Sequence, residues 1–243
     1  MENESTMTSA GIARQALKDA LRQQRWRAGE KLPPERELGE SLGVKRMSLR
    51  QALLALENEG AIFRLDRKGW FVAQPRFIYD PLSYVSFQRA ASEQGEATWQ
   101  DLSQETIEAD SDLAADFGIQ PGATLLRVQG WGAFNGHRIF VHDVLINCQH
   151  APNYPTKLAG RSFTEVWEQE FAIRPKLADL KIRPVRLEGQ PQQLLGCSNG
   201  APGLYIRRIK TDEQGRVIQL DREFWRFEAL ELHFAPEPDR CPQ

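Results

Sequence analysis

Between residues 34 and 72 the apolar positions change period twice. Leu38 and Leu42 fall four apart on one helical face, and Gly43 ends that run as a left-handed stop would. Pro34 suits the start of this helix, where its missing N–H costs nothing, and Glu35 and Glu37 place acid in the first turn, where the helix dipole favours it. After Val44 the positions Leu49, Ala52, Leu53 and Leu56 keep helical spacing, which predicts a second helix. The pattern then shortens: Ile62-Phe63-Arg64 and Trp70-Phe71-Val72 read as two strands around Leu65-Asp66-Arg67-Lys68-Gly69. Two helices joined by a short Gly-containing turn and followed by a hairpin form a winged helix-turn-helix.

Prolines break the pattern next, at Pro75 and Pro81, because each restrains both itself and the residue before it. We therefore place one domain at residues 1–75, a linker at 76–81 and a second domain at 82–243. The second domain alternates short helical and strand patterns. Residues 82–94 read as helix, 99–109 as strand, 111–117 as a helix capped by Ser111, 162–170 as a helix capped by Ser162, 176–187 as strand and 190–195 as helix. Strands at 124–134 and 138–146 flank Asn135-Gly136, a strong hairpin signal, and strands at 203–211 and 217–225 flank residues 212–215. The fold class is α+β: an N-terminal winged helix-turn-helix and a C-terminal antiparallel-sheet domain.

Charge sharpens the picture. The chain of 243 residues carries a net charge of −2, which by itself does not suggest nucleic acid. Residues 1–75, however, hold 13 Lys and Arg against 10 Asp and Glu, while the remainder is acidic. No acid lies between Ser41 and Leu56, and Lys45, Arg46, Ser48 and Arg50 fall mostly off the apolar stripe. With Arg64, Arg67 and Lys68 in the hairpin, cations cluster at the tip of a reading helix and on a wing, a two-point footprint for double-stranded DNA.

Other function classes find little support. Three scattered cysteines and four histidines supply neither a disulfide framework nor a metal motif, and no P-loop, GxGxxG or GxSxG occurs, so no catalytic residue, cofactor or metal is expected. No apolar run approaches a membrane span and the first residues lack the pattern of a signal peptide, so a cytoplasmic protein without membrane contact is expected.

The stretches LPPERELGESLGVKRMSLRQAL (residues 32–53) and LENEGAIFRLDRKGWFV (residues 56–72) resemble the GntR family of regulators. The resemblance implies that Arg36, Arg46, Ser48 and Arg50 touch DNA, with Arg46 and Arg50 at base edges, and that the wing near Lys68 and Gly69 reaches the adjacent minor groove. Lys45 and Met47 depart from the family's usual Ser and Thr, Arg67 stands where Gly is usual, and Trp70 where Thr is usual.

The second half, through LLRV, NGHRIFVHDVLI, RSFTEVWEQEFAI and GLYIRRIKTDEQGRVIQLDREFWRFE, resembles the UTRA effector domain of the HutC branch, whose fold is similar to chorismate lyase. That resemblance implies a homodimer with a small-molecule pocket lined by Ser86, Asp143, Ser162, Gln219, Asp221, Trp225 and Arg226. His142 faces away from Asp143 in a strand and reads as core or surface. The wing sequence RLDRKGWFVAQPRFIYDP resembles regulators associated with phosphonate utilisation, which makes a phosphonate a candidate effector. The family's anion-gripping Arg-x-Arg pair aligns with Gly130 and Gly132, so either Arg127, Arg138 or Arg226 substitutes or the effector is not such an anion. The expected function is a repressor released from a palindromic operator by a metabolite; an enzyme built on the lyase-like domain and an effector-independent DNA-binding protein are the alternatives.

Overall fold

The computed structural model describes residues 8–82, 86–158 and 160–234. The described residues divide into two units: the first contains those within 8–76, 186–202 and 227–229, the second those within 77–185, 203–226 and 230–234.

The first unit opens with a helix that the sequence pattern had not drawn out. Thr8 caps α1 (Ser9–Arg22) by accepting from Gly11 N, and α1 buries Ala13 and Leu17. Helix α2 (Glu35–Leu42) ends on Gly43, whose φ of 63° is the left-handed stop expected. Helix α3 (Arg46–Asn58) buries Leu49, Ala52, Leu53 and Leu56, the predicted stripe. These helices close on one core with Leu32, Ile62 and Trp70. Strands β1 (Ile62–Leu65) and β2 (Gly69–Val72) pair antiparallel, and Trp70 Nε1 donates to Glu35 Oε1 at 3.0 Å, tying the hairpin to the start of α2.

The second unit is built on a six-stranded sheet. Strand β3 (Phe77–Tyr79) lies inside the stretch read as linker, and it pairs parallel with β10 (Leu230–Leu232). The proline-based reading missed it because Phe77 and Tyr79 are buried by partners distant in sequence, including Trp225, on which both rings stack. Part of the helix expected over 82–94 falls on residues 83–85, outside the described residues; α4 (Phe87–Ser92) follows, capped by Ser86. Then come β4 (Ala97–Glu108), α5 (Ser111–Phe117), β5 (Thr124–Phe134), β6 (His137–Ile146), α6 (Tyr154–Leu158), α7 (Phe163–Phe171), β7 (Lys176–Leu187), α8 (Gly189–Leu195), β8 (Ala201–Thr211) and β9 (Val217–Arg226). The cap of α5 is Asp110, which accepts from Leu113 N, and not Ser111, which is the first helical residue.

The sheet order is β4-β5-β6-β9-β8-β7. Asn135 and Gly136 turn β5 into β6 with φ of 49° and 75°, the paired positive values that a tight hairpin of this hand requires. One sheet face carries the core of Val128, Val144, Val166, Trp167 and Ile218; the other packs Leu125, Leu145 and Leu220 on α5. Because side chains alternate along each strand, this division decides which residues can reach a common site.

Candidate DNA interface and ligand pocket

At the start of α3 the backbone of Lys45 is extended and no side chain caps the helix, so its first N–H groups are open. Lys45, Arg46 and Arg50 are exposed and Ser48 is half-buried. Met47, which the sequence marks only as a departure from the family's usual Thr, is 67% exposed between Arg46 and Ser48; an exposed apolar group there suits a thymine methyl. Arg36 lies 3.3 Å from Glu40 in an exposed pair worth little. On the wing, Arg67 is 94% exposed at a φ of 58°, Lys68 is exposed, and Gly69 has a φ of 99°. Arg64, counted among the wing cations from sequence, instead lies over the Trp70 ring at 5.7 Å.

The second unit holds a pocket of about 560 Å3 of empty volume, counted to its open mouth. Its lining brings together five of the seven expected residues, Ser86, Ser162, Gln219, Asp221 and Trp225. The other two do not reach it. Asp143 points from the opposite face of β6, where Arg127 grips it with two hydrogen bonds of 2.7 and 3.0 Å. Arg226 is buried on the side of β9 opposite Asp221, Glu223 and Trp225, because the strand alternates. Of the cations proposed as substitutes, Arg127 is thus engaged elsewhere and Arg138 lies over the Trp131 ring at 4.2 Å.

The pocket has its own cations, Arg208 and Lys210 on β8, which sequence reasoning missed. Their spacing of two in IRRIK places both on one face with Ile206, a signal present in the sequence but easily taken for a charged exterior. Arg208 hydrogen-bonds Tyr79 and Glu223, and Lys210 Nζ lies 2.8 Å from Asp221 Oδ2. Trp167 Nε1 donates to Gln219 at 2.6 Å and Gln219 donates to Asp221 at 2.5 Å, while Trp225 Nε1 donates to Glu223 at 2.8 Å. Burial alone would raise the Asp221 pKa, but Lys210 and Arg208 hold it below the usual carboxylate range. Burial prevails at Glu223, whose pKa is raised.

Ser162 caps α7 in a capping box, its oxygen accepting from Glu165 N and the Glu165 carboxylate accepting from Ser162 N. An acidic side chain therefore already occupies this helix start, and Ser86 likewise serves as the cap of α4.

On the same sheet face, His142 is buried and stacks on Trp99 with ring centroids 4.0 Å apart. Burial lowers its pKa from 6.5 to about 3. The folded protein keeps the ring neutral while the unfolded chain protonates it near pH 6.5, so stability present at neutral pH is lost as pH falls from about 6.5 towards 3. Melting followed from about pH 7.5 to about pH 5, where few carboxylates titrate, should show a steeper decline for the wild type than for His142→Phe; parallel declines would contradict the assignment.

Comparison with known proteins assigns both halves. Residues 10–72 match the family of bacterial regulatory proteins named gntR, and residues 92–231 match the UTRA domain. The chain belongs to the GntR family of transcription regulators, in its form with a UTRA effector domain. The HTH-type transcriptional regulator YihL of Escherichia coli K12 is 45% identical over 233 residues, covering 95% of this chain and 98% of the relative. The HTH-type transcriptional repressor NagR of Bacillus subtilis is 26% identical over 204 residues, covering 80% and 81%. The crystal structure of PhnF from Mycobacterium smegmatis shares the fold, with a TM-score of 0.65 and 24% identity over 94% of this chain and all of that one. In this GntR regulator the helix-turn-helix match spans the exposed cations of α3 and the wing, and the UTRA match spans the whole sheet from β4 to β9. No described helix is long and apolar enough to cross a membrane, and no described group of three or more His, Cys, Asp or Glu is arranged to hold a metal.

Proposed function

We propose that this GntR regulator is a cytoplasmic homodimer that represses transcription by binding a two-fold symmetric operator, and that a small molecule in the UTRA pocket releases it. The observation carrying the reading is the pairing of two features in one chain: exposed cations at an uncapped reading-helix start, and a pocket with a charged floor in a separate unit. Arg46 and Arg50 read base edges, Lys45, Ser48, Arg36 and the α3 N-terminus hold phosphates, and Arg67, Lys68 and Gly69 enter the minor groove. Fluorescence anisotropy on DNA upstream of the gene should show saturable binding that scrambled DNA of equal length lacks; equal affinity for both would sink the regulator reading.

A physical route between pocket and wing supports ligand response. The segment leading into β8 groups with the DNA-binding unit. There Asp66 N donates to Gly196 O at 2.8 Å, and Leu65 forms an isolated bridge with Cys197. Strand β8, which begins four residues after Cys197, carries Arg208 and Lys210 into the pocket, so the chain from β8 back to Cys197 is the route by which a ligand that shifts β8 would act on the wing. Asp66 occupies the second position of a turn closed by Lys68 N donating to Leu65 O, with positive φ at Arg67, a position where proline is favoured. Asp66→Pro therefore keeps the turn and removes the donor. It should leave ligand affinity intact while shrinking the ratio of operator affinities measured with and without ligand; an unchanged ratio would refute the route.

One observation favours a second reading, an enzyme. Asp221 and Glu223 share the pocket with pKa values pushed apart, as acid and base pairs are. Incubation of ligand with stoichiometric protein, followed by mass analysis, decides between them: recovered intact ligand supports the regulator, stoichiometric or catalytic conversion the enzyme.

A further inference from the structure

Taking the pocket as the effector site, as proposed above, we infer that its ligand is an uncharged polyhydroxylated molecule, a sugar or polyol, with one hydroxyl seated between Asp221 and Arg208. Three features of this chain lead there.

The charges of the pocket balance among themselves. Arg208 faces Glu223 and Lys210 faces Asp221, so each cation already has an acid. Strand β5 adds no further cation, because Gly130 and Gly132 stand opposite His142 and Phe140 on this face and present no side chain. An ideal Cβ on Gly130 would lie 2.1 Å from Gln100 O, and one on Gly132 would lie 2.1 Å from Phe140 Cε1, so the strand has no room for one. A phosphate or phosphonate would sit against the two carboxylates that these cations already hold. Like charges at close range repel, and more strongly away from water.

Two buried atoms on the pocket floor have hydrogen-bonding capacity left. Arg208 Nε and Asp221 Oδ2 lie 3.3 Å apart; Arg208 Nε has no partner in hydrogen-bonding geometry, and Asp221 Oδ2, 2.8 Å from Lys210 Nζ, keeps a second lone pair. One is a donor and the other an acceptor. An anionic oxygen can only accept and an ammonium can only donate, whereas a hydroxyl accepts from the guanidinium and donates to the carboxylate. A buried donor left without an acceptor, as Arg208 Nε is, costs stability until one arrives. Asp221 is held in place for the task, since its other oxygen accepts from Gln219, itself fixed by Trp167.

The remaining wall is aromatic. Trp99 and Phe87 line the pocket with partly exposed rings, backed by buried Phe140 and Trp225. The C–H face of a sugar ring packs on such a surface while its rim hydroxyls meet the polar floor.

Calorimetric titration of the full-length wild-type protein tests this with two panels. One contains glucose, galactose, mannose, ribose, xylitol and myo-inositol; the other contains glucose 6-phosphate, ribose 5-phosphate and aminoethylphosphonate. At least one uncharged compound should bind saturably and shift operator anisotropy, and Asp221→Asn should weaken that binding by about tenfold or more. Binding confined to the anionic panel, or tightening of a ligand by Asp221→Asn, overturns the inference while leaving a ligand-responsive regulator intact. If no compound of either panel binds or alters operator affinity, the inference and the effector reading of the pocket both fall.

Discussion

Replacing Arg46 by alanine should lower operator affinity by about 1–3 kcal/mol and relax base preference at one position of each half-site. Arg46 is the first residue of α3, exposed, and followed one turn later by exposed Arg50. No carboxylate lies between residues 41 and 56, so no acid near the start of the reading helix competes for the guanidinium. Arg46→Lys should restore charge but not base preference, because an ammonium lacks the planar fork that engages two acceptors together. Binding measured across a set of single-base operator variants separates the outcomes. Loss at one base pair supports a base contact; a uniform loss makes Arg46 a phosphate contact, and no loss removes it from the interface.

Gly130→Ala should destabilise the UTRA domain by about 1–3 kcal/mol or more, in the range of overpacked core substitutions. The added methyl would meet Gln100 O at 2.1 Å and His142 Nε2 at 2.5 Å. Gln100 O is backbone in the neighbouring strand, and β5 sits between β4 and β6, so neither side can give way without disturbing a ladder. Urea unfolding followed by tryptophan fluorescence should show a lower midpoint with an unchanged slope. An unchanged midpoint would mean that strand β5 can open there, and the case against an arginine at this position would weaken with it.

The helix-turn-helix was readable because its signals are local. Leu49, Ala52, Leu53 and Leu56 repeat at helical spacing, Gly43 stops α2, and the wing strands follow at once, so each element announces itself within a few residues. Helix α1 carried no such punctuation beyond Thr8, and strand β3 exists only because β10, some 150 residues later, pairs with it. Long-range pairing leaves little trace in a short window.

Site residues divide along the same line. Gln219, Asp221 and Trp225 share one face of β9 through simple alternation, and their positions were legible. Asp143 and Arg226 fall outside the pocket because residue type alone does not decide the face, and strand parity turns them to the other side. Arg208 and Lys210 obeyed that parity yet looked like an exterior charge run, since only the packing of Tyr79 and Glu223 around Arg208 shows it buried.

If one chain couples an operator to a small molecule, linkage makes the coupling measurable in both directions. Operator affinity should be measured by anisotropy with and without the sugar or polyol that binds best, and ligand affinity by calorimetry with and without operator DNA. Ligand should weaken operator binding by about 5- to 150-fold, and operator should weaken ligand binding by the same factor. Ligand and operator that bind with full affinity in each other's presence would contradict the coupling.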